Sequence, residues 1–117
     1  MCYERNVENQ MSFGKALELV KNGSLISRKD WVDENKFVFL RPSDSIGLET
    51  VVKLIKSLPQ KVKDYYARDL DFDFEDGEGK VEFTPYLCLK DENGRVVNGW
   101  TPSQEDLLSD DWVEFIF

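Results

Sequence analysis

At 117 residues, 41% apolar and 13% aromatic, the chain has the composition of one globular domain, and its 23 acidic against 15 basic side chains leave a formal charge of -8. That charge excludes a duplex nucleic-acid binder, which draws its affinity from clustered Lys and Arg on phosphates. The absence of histidine excludes imidazole catalysis and removes the commonest zinc, Ser-His and Cys-His sites.

Residues 1–10 show little periodicity and read as an N-terminal tail ahead of a domain over 11–117. Ser12 caps a helix whose apolar positions Phe13, Ala16, Leu17 and Val20 follow i, i+3, i+4, i+7 spacing, and Gly23 sits where a left-handed residue ends such a helix. Leu25–Arg28 is a short strand leading to Trp31, and Phe37–Leu40 is a continuous apolar strand broken by Pro42-Ser43-Asp44. Leu48, Val51, Val52, Ile55 and Leu58 repeat at helical spacing as far as Pro59, and Val62, Tyr65 and Tyr66 add a further helical turn or two. The spacing predicts a helical insertion at about 45–68.

Leu70, Phe72 and Phe74 alternate with Asp69, Asp71 and Asp73, which predicts a hairpin with Val81–Phe83 across the Gly77 and Gly79 turn. A second hairpin joins Tyr86–Lys90 to Arg95–Trp100 across Asp91-Glu92-Asn93-Gly94, because Asn-Gly is a strong turn signal. A helix over 102–109 and the apolar run Val113–Phe117 close the chain. The fold class is α+β: a small antiparallel β-sheet with an N-terminal helix, a helical insertion and a short C-terminal helix. No apolar run approaches the length of about 18 residues that a span needs, and no leader pattern is present, so the expectation is a cytoplasmic protein. Cys2 and Cys88 suit free thiols in a reducing compartment.

The densest chemistry lies between Trp100 and Trp112. Thr101 reads as an N-cap, Pro102 as the first helical residue and Gln104 as the reciprocal partner of a capping box. A helix start of this kind directs free N–H groups and the positive dipole end outward, with Ser103 and Gln104 beside them, and so suits a phosphate or pyrophosphate. A well-capped surface helix accounts for the same letters.

Ser12-Phe13-Gly14 with Ala16-Leu17, Arg28 and Trp31 after the first helix, Pro85-Tyr86 before a strand, Asp91–Gly94, and the run Trp100, Pro102-Ser103-Gln104, Asp106-Leu107-Leu108, Asp111-Trp112 resemble the second Thoeris anti-defence family of phage proteins. The sequence departs from the family pattern in its long insertion and in Asp30, where a glycine commonly precedes the tryptophan. The resemblance implies a non-enzymatic sponge without cofactor or metal. Such a homotetramer sequesters glycocyclic ADP-ribose in the infected bacterial host cell, silencing the Thoeris effector, and some relatives also hold cyclic dinucleotides in a separate pocket. The candidate binding residues are Arg28, Trp31, Phe37, Tyr86, Trp100, Ser103, Gln104 and Asp106.

The residue types suit that ligand. Trp31 or Trp100 can stack on adenine, a contact worth about 1–3 kcal/mol per base, and Arg28 can clamp a pyrophosphate bidentately. Ser103 and Gln104 supply neutral donors, and Asp106 can accept from ribose hydroxyls. Each residue also has a structural reading: Trp31 as a core anchor, Arg28 in a surface ion pair, Asp106 complementing the helix dipole. Asp71, Asp73, Glu75 and Glu82 fall near calcium-loop spacing, but Gly77 misses the position of the sharp turn, and alternating acids on the exposed face of a hairpin explain the same letters, which disfavours a calcium site. No acid pair is tied to a nucleophile, which disfavours a hydrolase. The alternative function is an acidic decoy that imitates nucleic acid, steered to basic partners by its charge.

Overall fold

The structure, a computed structural model, describes residues 9–70 and 79–117. In chain order the elements are α1 (Phe13–Lys21), β1 (Leu25–Arg28), a 3-10 helix (Lys29–Glu34), β2 (Phe37–Arg41), β3 (Asp44–Gly47), α2 (Leu48–Lys53) and α3 (Gln60–Leu70). They continue with β4 (Lys80–Phe83), β5 (Tyr86–Lys90), β6 (Val96–Asn98), α4 (Gln104–Leu108) and β7 (Trp112–Phe115). The fold is α+β, as the sequence predicts. It divides into a sheet unit, which ends at Pro42 and resumes over Tyr86–Phe117, and an inserted unit over Ser43–Pro85.

In the sheet unit, local signals set α1. The Ser12 hydroxyl accepts the Lys15 N–H at 3.3 Å. At the other end Gly23, with φ 101, donates to the Val20 carbonyl at 3.1 Å and Ser24 to Leu19 at 3.0 Å, the paired bonds that stop a helix at a left-handed residue. The five strands run β6-β5-β2-β1-β7, every neighbour antiparallel. Asn93-Gly94 is the turn of the β5–β6 hairpin, with Gly94 at φ 86. The Asp91 carboxylate accepts the Arg95 and Asn93 N–H groups at 2.8 and 2.9 Å. Those bonds, led by the one from Arg95, hold Asp91 below the ordinary carboxylate range.

The register sorts the sheet into two faces, since side chains alternate along each strand. Ile26, Val38, Leu40, Leu87, Leu89 and Trp112 share the face that packs with Phe13, Ala16 and Val20 of α1. Leu25, Phe37, Phe39, Val96 and Phe115 share the opposite one, hereafter the open face.

The inserted unit has its own small core of Leu48, Val51 and Val81, built by β3, β4 and the two helices. Three expectations change here. Residues 44–47 form a strand paired with β4 through Ile46 and Val81, where the sequence suggested a break followed by helix. Helix α2 ends at Lys53, short of Pro59, because Ile55 and Leu58 reach the same core from a turn and their helical spacing is met without helix. Leu70 closes α3, so it starts no hairpin. Phe72, Phe74 and the calcium-spaced Asp71, Asp73 and Glu75 lie outside the described residues. Glu82 accepts the Ser45 hydroxyl at 2.8 Å across the β3–β4 pair.

Candidate functional site

Arg28 ends β1 and is the hub of the site. Its Nε and Nη2 grip Asp111 bidentately at 2.9 and 3.2 Å, Nη1 meets Asp106 at 3.0 Å, and Nη2 also donates to the Ser109 hydroxyl at 2.8 Å. The Asp111 bond, with Asp106 adding to it, outweighs burial and holds the guanidinium more firmly protonated than usual. One cation thus ties β1 to α4 and to the approach to β7.

The helix start differs from the sequence reading. Ser103, not Thr101, is the N-cap, and Asp106, not Gln104, is its partner. The Ser103 hydroxyl accepts the Asp106 N–H at 3.0 Å while the Asp106 carboxylate accepts the Ser103 N–H at 2.9 Å. Asp106 prevails because its second oxygen is fixed by Arg28 and its carbonyl accepts the Trp112 Nε1–H at 2.7 Å. These bonds use two of the donors an anion would have met, and they place a carboxylate at the dipole's positive end. Gln104 is exposed on the first turn.

Three tryptophans meet beneath this helix. Trp112 is fully buried and takes the edges of Trp31 at 5.3 Å and Trp100 at 6.4 Å, while Trp31 and Trp100 lie 6.4 Å apart. Trp31 and Trp100 are half-buried, so each is both core anchor and partly open ring. The Lys36 ammonium sits 4.5 Å from the Trp31 ring centre, an arrangement that sets a cation beside an aromatic platform.

The structure therefore joins Arg28, Trp31, Trp100, Ser103 and Asp106 in one contact network, with Gln104 next to the cap. Phe37 and Tyr86 belong to the open face: Phe37 packs 5.0 Å from Phe115, and Tyr86 lies under Arg41 at 5.4 Å. Sequence reasoning missed Asp111 and Ser109 as partners of Arg28, because a separation of 83 residues leaves no local trace. It also passed over Lys36, whose N–H donates to the Trp31 carbonyl at 3.2 Å. Among the described residues no group of three His, Cys, Asp or Glu side chains is placed to hold a metal ion, and no helix is long and apolar enough to cross a membrane.

The comparisons with known proteins identify the family. A family model described as the Thoeris anti-defense 2-like domain matches residues 11–115, beginning at Met11, whose N–H and carbonyl both bond to Trp112 at 2.8 and 3.1 Å. The chain is also similar to "Thoeris anti-defense 2" of Bacillus phage SP01, 29% identical over 106 residues that cover 91% of this chain and 96% of that protein. The match spans the residues of both units, and the chain belongs to the Thoeris anti-defense 2-like family, which carries a phage role against the Thoeris defence.

Proposed function

We propose that the protein acts as a sponge: it binds glycocyclic ADP-ribose, holds it without cleavage and so deprives the Thoeris effector of its signal, as a homotetramer in the host cytoplasm. Cyclic dinucleotides are its second ligand class. The observation that carries the proposal is the family match over residues 11–115. The geometry supports it with the half-buried Trp31 and Trp100 as stacking surfaces, the Lys36 ammonium beside Trp31 as a phosphate partner, and the exposed Gln104 amide as a neutral donor. Arg28 and Asp106 serve this site by fixing α4 through their mutual pair. A sponge must outcompete a receptor, and a nanomolar dissociation constant corresponds to about -12 kcal/mol.

The test is recovery of the ligand. Protein produced beside the signalling enzyme and then heat-denatured should release a nucleotide of unchanged mass and retention that still activates the effector. In calorimetry, Lys36→Ala and Gln104→Ala should each weaken binding about tenfold, or about 1.4 kcal/mol, at unchanged melting temperature. A cleaved product would make the protein an enzyme. Release of no nucleotide, with retention of a basic host protein, would favour the decoy.

A further inference from the structure

Ser27 is fully buried, and among the described residues only Ser27 and Asp106 are buried polar or charged side chains. The Asp106 carboxylate is engaged by the Ser103 N–H and by Arg28. Ser27 stands in the short strand Leu25-Ile26-Ser27-Arg28, where an alanine would occupy the place with no donor to satisfy. A buried hydroxyl costs stability unless its hydrogen is used. Two carbonyls are within its reach, that of Lys36 at 2.8 Å and that of the adjoining Arg28 at 3.1 Å. The Lys36 carbonyl is the nearer, and it lies two residues beyond the registered pairing of Ile26 with Val38.

That carbonyl belongs to the residue whose ammonium sits 4.5 Å from the Trp31 ring centre. The turn joining the two is held from several directions. The Lys36 N–H donates back to the Trp31 carbonyl at 3.2 Å and the Asn35 N–H to the Val32 carbonyl at 3.1 Å. Asn35 takes a left-handed φ of 56, and its carbonyl accepts from the Lys90 ammonium at 2.8 Å. Two successive carbonyls, those of Asn35 and Lys36, are thus each met by a side chain from a different strand, β5 and β1. A lysine stem is flexible, and a backbone fixed beneath it removes freedom that ligand binding would otherwise have to remove.

We infer that Ser27 is a positioning residue: through the Lys36 carbonyl it sets the Lys36 ammonium over Trp31 before any ligand arrives. The inference rests on the proposed ligand site only for what the ring and cation are used for; the hydroxyl, the turn and the ring contact stand without it. Arg28 anchors α4 from the next position of β1. The Ser27-Arg28 dipeptide therefore braces the Trp31 side and the α4 side of the same site.

Proton chemical shifts of the full-length protein test it with no ligand present. Protons held over an indole ring are displaced upfield, so the Lys36 ε-methylene signals should lie upfield of those of an exposed lysine such as Lys15. Ser27→Ala should remove at least half of that displacement while circular dichroism stays as in the parent. Ser27→Cys, which fills the same space with a weak donor, should act in the same direction and serves if the alanine variant fails to fold. Val113→Ala, at the buried position paired with Ser27 on β7, lowers stability without removing the hydroxyl and should leave the displacement as in the parent. No upfield displacement in the parent, parental shifts in both Ser27 variants, or an equal loss in Val113→Ala would overturn the inference. Calorimetry with glycocyclic ADP-ribose extends the test to function. Ser27→Ala should weaken binding about threefold, yet add less than about twofold to Lys36→Ala, because both act through one ammonium, while its loss multiplies with that of Gln104→Ala. Full multiplication with Lys36→Ala would also overturn it. A parent that binds no nucleotide removes the proposed ligand, and the shifts then decide the role of Ser27 by themselves.

Discussion

The sheet unit and the inserted unit differ, among the described residues, in the interactions that hold them. In the former, a buried tryptophan, a helix capped at both ends and an arginine with three side-chain partners converge on one core. In the latter, the core among the described residues is Leu48, Val51 and Val81, α2 is six residues long, and its cap position is Gly47 with no side-chain bond. The solvent takes the end of that helix: Leu54 is 70% exposed. The contrast teaches that an apolar stripe fixes where a segment packs, while caps and cross-chain bonds decide how firmly it stays.

The largest test of this contrast is core truncation. Trp112→Ala removes the ring on which Phe13, Trp31 and Trp100 rest and should cost about 3–5 kcal/mol, enough to abolish a cooperative transition in denaturant. Val51→Ala in the inserted unit should cost about 1–3 kcal/mol, with the β1 and β2 amides still protected from exchange. Equal loss of protection in both units after Val51→Ala would show that they unfold together and erase the distinction.

Next comes the charge hub. Arg28→Ala leaves Asp106 and Asp111 facing each other without their cation and should cost about 3 kcal/mol, the low end for breaking a buried pair, since the arginine side chain keeps 15% exposure. Arg28→Lys keeps the charge but not the fork, so denaturant titration should place it between the parent and Arg28→Ala. Recovery to the parent value would mean that charge alone holds α4.

The smallest effects concern the caps. Ser103→Ala should lower stability by about 1 kcal/mol, whereas Thr101→Ala should change it by less than about 0.5 kcal/mol, which thermal unfolding can separate. Gly47→Asp should act in the opposite sense on α2 and stabilise the inserted unit by a few tenths of a kcal/mol. An added Cβ there meets nothing within 4 Å.

The same contrast explains what the sequence made legible. Ser12, Gly23 and Asn93-Gly94 act on their immediate neighbours, so α1 and the β5–β6 hairpin were readable from short windows. β3 was not, because Asp44-Ser45-Ile46-Gly47 has one large apolar residue and becomes a strand only against Lys80–Phe83. The cap of α4 was misread for a similar reason. Thr101-Pro102 has the local signature, but Asp106 is claimed by an arginine 78 residues away, and tertiary bonding outranked the dipeptide. Of the candidate binding residues, Arg28, Trp31, Trp100, Ser103 and Asp106 came together, and Phe37 and Tyr86 turned out to face the other way along the pleat.

Arg41 and Tyr86 are directly paired across β2 and β5, and the inserted unit begins and ends just beyond them. In topological terms, Ser43–Pro85 is therefore an enlarged hairpin loop whose two ends are already joined by the ladder. Loop closure grows only slowly with length, about 0.6 kcal/mol for each doubling. The sheet can consequently accept a long, short or different segment at this one turn while every strand keeps its register, which makes the turn the place where members of such a fold can diverge without renegotiating their core.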